Sequence, residues 1–392
     1  MSERSERTNV HSSDVANATT ERQRGGHVSE RSERTNVHSS ERSERTNQHS
    51  SPAHVADERS EEGRVSAPQT GPIPLRSTSG PAGSRILAFG HYQPANVVTN
   101  DDLARRVDTN DEWIRDRVGI AERRIAGPEE SLVDMAVQAG GKALAASGLS
   151  AADIDLVVVA TCTLEASIPN ASARVADRLG ISGVAGYDVN TACSGFCYAL
   201  ACVDSLVRTG AARNALVIGA EKLSDWIDWD DRATCIIFAD GAGAAVVGPS
   251  DVPGIGPVVW GTEGDKADLI FIKDRNSFIW QDGQPVFRWA SHTLAPFVRE
   301  ACARAGVDPT ELAAFVPHQA NLRIVDGLAR RLGAPDAVVA RDIVTAGNTS
   351  SASIPMAMAR MIERGEIPSG APVLLFGFGA GLTYAGQVVT SP

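Results

Sequence analysis

From residue 85 onward the apolar residues fall into short runs separated by stretches with helical spacing, and the order of these elements repeats. Residues 85–90 read as a first strand. Residues 155–160 form an apolar run of strand length, followed by a loop, a helix ending Ala-Asp-Arg-Leu-Gly at 176–180, a strand over 185–190, a turn of small residues, a helix over Gly195–Arg208 and a strand over 215–219. The series then recurs: a strand over 313–316, a loop, a helix ending Ala-Arg-Arg-Leu-Gly at 329–333, a strand over 338–342, a small-residue turn, a helix over 352–362 and a strand over 372–376. Strands alternating with helices predict parallel sheets with right-handed crossovers. The fold class expected is therefore α/β, built from two duplicated halves.

The first 84 residues break this pattern. The string SERSERTNVHSS occupies 2–13 and 29–40, and SERSERTNQHSS follows at 40–51. A polar repeat of this length offers no apolar face to a neighbour, so ordering it would cost backbone entropy with nothing to offset it. The tail lacks Phe, Trp, Tyr, Cys and Lys and carries 11 Arg against 12 acidic residues, and its equal acidity argues against a transit peptide. Five of the eight His lie in it, too far apart and too poor in Cys or carboxylate neighbours for metal-ligand spacing. The organisation expected is a disordered low-complexity tail and linker over 1–84, a half over 85–250, and a half over 251–392.

The remaining chain holds 26 basic against 36 acidic residues, which excludes a general binder of nucleic acid or of anionic membrane. No apolar run reaches the length of a membrane span. Six Cys in a chain of 392 residues without a secretory apolar stretch predict reduced thiols and a cytoplasmic location.

Ligands of parallel α/β folds collect at the loops beyond strand C-termini. Four such loops carry chemistry here: CTLEAS after Ala160, TACSG after Asn190, HQAN after Pro317 and AGNTS after Thr345. Cys193 sits in a tight turn at a helix N-terminus, where the dipole and free amides favour a thiolate and can hold an oxyanion. The bland alternative is a buried structural cysteine, the reading given to Cys162, Cys202, Cys235 and Cys302. A metal site of Cys193, Cys197 and Cys202 fails on spacing. Of the three His beyond the tail, only His318 follows a strand end. Asn348 occupies the small-residue turn of the second half, where it either caps the next helix or donates to a carbonyl. The internal repeat would bring Cys193, His318 and Asn348 to one point. Two glycine runs complete the inventory. Residues 239–244 resemble a dinucleotide loop, but a strand follows rather than a helix, so they read as a hairpin-type turn. Residues 376–381 follow a strand end and would let a backbone N–H approach the Cys.

At these residues the sequence resembles beta-ketoacyl-acyl carrier protein synthase III, the initiating condensing enzyme of the thiolase superfamily. The blocks that carry the resemblance are DTNDEWIRDRVGI at 108–120, NTACSGF at 190–196, DRATCIIFADGAGAAV at 231–246, VPHQANLRI at 316–324 and AGNTSSASIP at 346–355. The resemblance covers residues 85–389 and none of the tail.

The resemblance implies a thiolase-like, layered αβαβα fold and a decarboxylative condensation that starts fatty acid or polyketide synthesis. An acyl-CoA primer would acylate Cys193, with the amides of Cys193 and Ala380 as oxyanion hole, and His318 and Asn348 would hold the thioester carbonyl of malonyl-acyl carrier protein. It implies no resident cofactor or metal. Trp113 and Arg232 would flank the adenine of CoA, Arg117 would meet its phosphates, Phe287 would line the pantetheine channel, and Asn321 would bind there or support His318. Arg288, Arg323, Arg330 and Arg331 would form a basic patch for the acidic carrier protein. Ile168 stands where some relatives close the acyl pocket with Phe, which implies a branched or longer primer, and the superfamily implies a homodimer. Three other readings remain: a related acyltransferase with an oxygen or nitrogen acceptor, a non-catalytic partner subunit, and a cysteine hydrolase.

Overall fold

The computed structural model describes residues 75–392. The repeats, their His residues and the disorder expected of them lie, through residue 74, outside the described residues. The first sheet contains β1 (Gly83–Tyr92), β2 (Leu156–Ala160), β3 (Ala185–Val189), β4 (Ala215–Lys222) and β5 (Asp240–Ser250). Its order is β1-β5-β4-β2-β3. The second contains β6 (Val259–Thr262), β7 (Ala314–Pro317), β8 (Val338–Val339), β9 (Pro372–Gly379) and β10 (Thr383–Thr390), in the order β6-β10-β9-β7-β8. In each sheet the three crossover strands are parallel and the other two pair antiparallel, so β2, β3, β4, β5 and β1 correspond one to one with β7, β8, β9, β10 and β6.

The main helices are α1 (Asp111–Val118), α2 (Leu132–Ser147), α3 (Ala171–Arg178), α4 (Gly195–Arg208), α5 (Gly283–Arg288), α6 (Ala295–Ala305), α7 (Leu322–Leu332) and α8 (Ser353–Glu363). The two-residue period of the strands sorts them into layers. In β2, Leu156, Val158 and Ala160 join the central core with α4 and α8, while Val157 and Val159 face α2 and α3. In β9, Val373 and Leu375 join the same central core, while Leu374, Phe376 and Phe378 face α6 and α7. The result is a five-layer αβαβα stack with α4 and α8 sandwiched between the sheets.

Several expected boundaries shift. The first strand starts at Gly83 rather than Arg85. The strand expected over 338–342 is only Val338–Val339, because the Gln319 carboxamide intervenes: its Nε2 donates to Ala340 O at 3.3 Å and its Oε1 accepts from Ile343 N at 3.1 Å. The glycine run at 239–244 is not a turn, since β5 begins at Asp240. Its glycines serve packing: a Cβ on Gly243 would lie 2.4 Å from Met356 N, so α8 can approach the sheet only over a bare backbone. Likewise β9 continues through Gly377 to Gly379.

Candidate active site

The turns that begin the two central helices share an unusual backbone. Ala192 and Ser350 have φ of 46° and 48°, the left-handed region that non-glycine residues rarely enter. Strain of this kind costs about 1–3 kcal/mol per residue and concentrates at functional sites. In each turn an Asn side chain accepts the amide of the strained residue: Asn190 Oδ1 from Ala192 N at 3.3 Å, and Asn348 Oδ1 from Ser350 N at 2.8 Å. The following residue is Cys193 in the first half and Ser351 in the second.

Cys193, His318 and Asn348 line one cavity of about 800 Å³. Exposed Arg117, Arg288 and Arg323 belong to its rim, and buried Leu223 and Phe238 to its inner wall. The cavity therefore connects the Cys193 turn with the surface. Gly379 lets β9 pass beside the cysteine, and the amides of Cys193 and Ala380 both face its sulfur. The two amides expected as oxyanion donors thus lie beside the sulfur. The expected thiolate is not: burial pushes the Cys193 thiol up to about 11, outweighing hydrogen bonds from Ser350 and the two amides, and the nearby Glu221 pushes the same way. The helix terminus holds a neutral thiol.

His318 is also neutral. Burial pushes its pKa down to about 3, with Phe378 edge-on to the ring at a centroid distance of 5.2 Å. Asn348 has spent its oxygen on Ser350 N, so its amide hydrogens are the group it can offer a ligand. The cavity thus presents a protected nucleophile opposite two neutral polar groups.

The entrance residues behave unequally. Trp113 carries the Arg232 guanidinium at 4.8 Å and that of Arg117 at 5.4 Å from its ring centroid. Trp113 and Arg232 are therefore stacked on each other, with no slot for a base between them, and Arg232 Nη1 is held by Asp108 O at 2.7 Å. Phe287, on α5, lines the cavity beneath Arg323, 5.3 Å away. Asn321 lines it too but does not support His318. Its Oδ1 caps α7 by accepting from Arg323 N at 2.9 Å, and its Nδ2 donates to Arg117 O at 3.1 Å. Arg330 and Arg331 are exposed on α7 away from the cavity lining, and Arg331 bends back to Gly327 O at 3.1 Å. Ile168 is 85% exposed and does not line the cavity, so the place in the primer pocket expected of it is not found within the single chain.

Two features escaped the sequence. Cys162, read as structural, lines the cavity, its Sγ 3.4 Å from Glu221 Oε1. Glu221, at the end of β4 and fully buried, accepts from Thr163 Oγ1 at 2.6 Å, Cys162 N at 3.1 Å, Ser350 Oγ at 3.0 Å and Ser351 Oγ at 2.9 Å. It ties the loop of one half to the turn of the other. Its partners lie 58 to 130 residues away, so no local signal in the sequence marks it.

Models of the family described as 3-oxoacyl-[acyl-carrier-protein (ACP)] synthase III match residues 187–264, and its C-terminal domain matches residues 302–391. A relative from Streptomyces coelicolor, beta-ketoacyl-[acyl-carrier-protein] synthase III 4, is 56% identical over 79% of this chain and 99% of its own. The chain belongs to the synthase III family. A synthase III from Streptomyces glaucescens is 44% identical over 81% of this chain and 99% of its own. Among solved structures, the priming beta-ketosynthase of the R1128 polyketide pathway superimposes with a TM-score of 0.78 at 44% identity, covering 82% of this chain and 98% of that one. The synthase III of Aquifex aeolicus does so with 0.76 at 41% identity, covering 79% and 100%. The chain has the thiolase-like layered fold of these structures, and the residues matched by the family models include the Cys193, His318 and Asn348 loops.

Proposed function

We propose that this synthase III family member performs the initiating condensation between an acyl-CoA primer and malonyl-acyl carrier protein. The observation that carries the reading is the meeting of Cys193, faced by the amides of Cys193 and Ala380, with His318 and Asn348 in one cavity open to the surface. The Cys193 sulfur attacks the primer thioester, CoA leaves as its thiol, and the two amides receive the oxyanion. Malonyl-acyl carrier protein then enters. His318 and Asn348 donate to its thioester carbonyl while the carbon–carboxylate bond breaks, carbon dioxide leaves, and the electron pair becomes an enolate. The enolate carbon attacks the acyl-Cys carbonyl, and the sulfur departs. The products are CoA, carbon dioxide and a beta-ketoacyl carrier protein. Each oxyanion donor of this kind is worth about 10²–10³ in rate. No step calls on a metal or redox group, since the substrates carry both electrophile and nascent carbanion.

Arg117 and Arg323 at the rim suit the phosphates of CoA and of phosphopantetheine, and exposed Arg288, Arg323, Arg330 and Arg331 suit an acidic carrier protein. We also read the active form as a homodimer. The supporting features are the edge strand β3, with Ala185 and Gly186 exposed, and a neighbouring apolar group of Ile168, Phe271, Phe278 and Trp280, each at least 40% exposed. Asn170 ties the Ile168 loop to Gly186 O at 3.2 Å, and Arg275 ties the segment bearing Phe278 to Glu165 O at 3.0 Å. In such a dimer Ile168 would serve the partner's cavity, keeping the expectation of a branched or longer primer. Six free thiols fit a reducing, cytoplasmic setting, and among the described residues no helix is long and apolar enough to cross a membrane.

The test is incubation with malonyl-acyl carrier protein and an equimolar panel of acetyl-, isobutyryl- and longer acyl-CoAs, read by intact mass. Beta-ketoacyl carrier protein with isobutyryl or longer primers used at least as well as acetyl supports the reading. Acyl transfer without a new carbon–carbon bond rejects condensation.

A further inference from the structure

His318 Nδ1 lies 2.7 Å from Ser353 Oγ, and both residues are buried. Ser353 begins α8 and also receives the Gln319 backbone N–H at 3.3 Å. A serine hydroxyl carries one hydrogen and two acceptor positions. Among the described residues the only bonds of Ser353 Oγ are those two, so its hydrogen has a single acceptor within reach, His318 Nδ1. His318 Nε2 has no protein partner among the described residues, and the ring lines the substrate cavity.

We propose that Ser353 is a positioning residue that fixes the tautomer of His318, donating to Nδ1 so that the one ring proton stays on Nε2 and faces the substrate. The opposite tautomer would direct a second donor at the Ser353 oxygen and strand the serine hydrogen in a buried site, an arrangement folded proteins avoid. The surrounding backbone leaves the ring little freedom to escape. His318 N donates to Phe376 O at 2.8 Å, and Gln319 Nε2 donates to Pro317 O at 2.7 Å. A doubly protonated ring, which would offer Nε2–H regardless, is removed by the burial that pushes the His318 pKa down to about 3. A neutral imidazole presents a hydrogen or a lone pair depending on its tautomer, and only the hydrogen stabilises an enolate oxygen. The inference rests on the reading that His318 donates to the malonyl thioester, and it names what makes that donation available.

The test pairs ¹⁵N NMR of the histidine-labelled full chain, with His318 assigned through His318→Asn, with the kinetics of malonyl decarboxylation and of acyl transfer. In the parent, Nδ1 should resonate as an unprotonated nitrogen and Nε2 as a protonated one. Ser353→Ala should let protonated Nδ1 appear and slow decarboxylation about ten-fold or more, with acyl transfer to Cys193 held within about two-fold. Ser353→Thr keeps the hydroxyl and should restore both the tautomer and the rate. A parent ring with its proton on Nδ1 overturns the proposal. So does Ser353→Ala with Nε2 still protonated and decarboxylation at the parental rate. If His318→Asn decarboxylates at the parental rate while the parent shows Nε2–H, the tautomer assignment stands and the donor role of His318 falls instead.

Discussion

A β-carbon on Gly379 would stand 2.6 Å from Cys193 Cβ and 3.0 Å from its sulfur. The last residue of β9, in the second half, therefore touches the nucleophile of the first, and the adjacent Ala380 amide reaches the sulfur only because no side chain intervenes. Gly379→Ala should force these two segments apart. Acylation should fall about 10²–10³-fold, the loss expected when one oxyanion donor is withdrawn, and stability by about 1–3 kcal/mol for the overpacked contact. Intact mass after exposure to acyl-CoA reads the first effect and thermal unfolding the second.

Glu221 joins the halves by another route. Thr161, Thr163, Ser350 and Ser351 all donate their hydroxyls to its carboxyl group. Glu221→Ala leaves these buried hydroxyl donors unmet, and the expected loss is about 1–3 kcal/mol or more, the cost of buried polar groups left without an acceptor. Calorimetry should show a lower Tm with a single transition, because the halves share the core around α4 and α8.

The two neutral groups of the site give opposite pH signatures. With its thiol pushed up to about 11 by burial, Cys193 should react with iodoacetamide at a rate rising about ten-fold per pH unit from neutrality, with no plateau near the ordinary thiol value. Peptide mapping separates it from Cys162, which shares the cavity. His318 stays neutral in the fold down to about 3, whereas the unfolded chain protonates it below about 6.5. The unfolded state then binds more protons, so its contribution to stability is present above about 6.5 and is lost as pH falls toward about 3. Replacing His318 with Asn should flatten that part of the profile of Tm against pH.

Local pattern carried the fold because each half repeats the same strand, turn and helix order, and each strand's alternation separates a central from an outer core. Cys193 and His318 were legible because each follows a strand end, and Asn348 because its turn precedes α8 as the Cys193 turn precedes α4. What stayed hidden depends on contacts distant in sequence. Gly243 reads as turn chemistry until Met356 of α8 is seen against it, and Glu221 reads as the end of an ordinary strand. The thiolate expected at Cys193 failed through the same limit: a turn at a helix start is visible in sequence, but the desolvation of the thiol inside a cavity and a neighbouring Glu are not. Ile168 marks the other boundary, because the cavity of the single chain does not include it.

The arginines of α7 should separate the two substrates. Arg323→Glu and Arg330→Glu reverse charges on the exposed face of α7, and each should raise the KM for malonyl-acyl carrier protein about ten-fold at low salt, with a smaller effect as ionic strength rises. For Arg330, which is off the cavity lining, acylation by a CoA primer should be unchanged.

The account stands most directly on the division of labour between sulfur and imidazole, and one paired assay measures it: acyl-enzyme mass and carbon dioxide release from malonyl-acyl carrier protein, in Cys193→Ala and His318→Ala. Cys193→Ala should take up no acyl group yet still release carbon dioxide, whereas His318→Ala should acquire the acyl mass and release carbon dioxide about 10²-fold more slowly. Release at the parental rate from His318→Ala would contradict it.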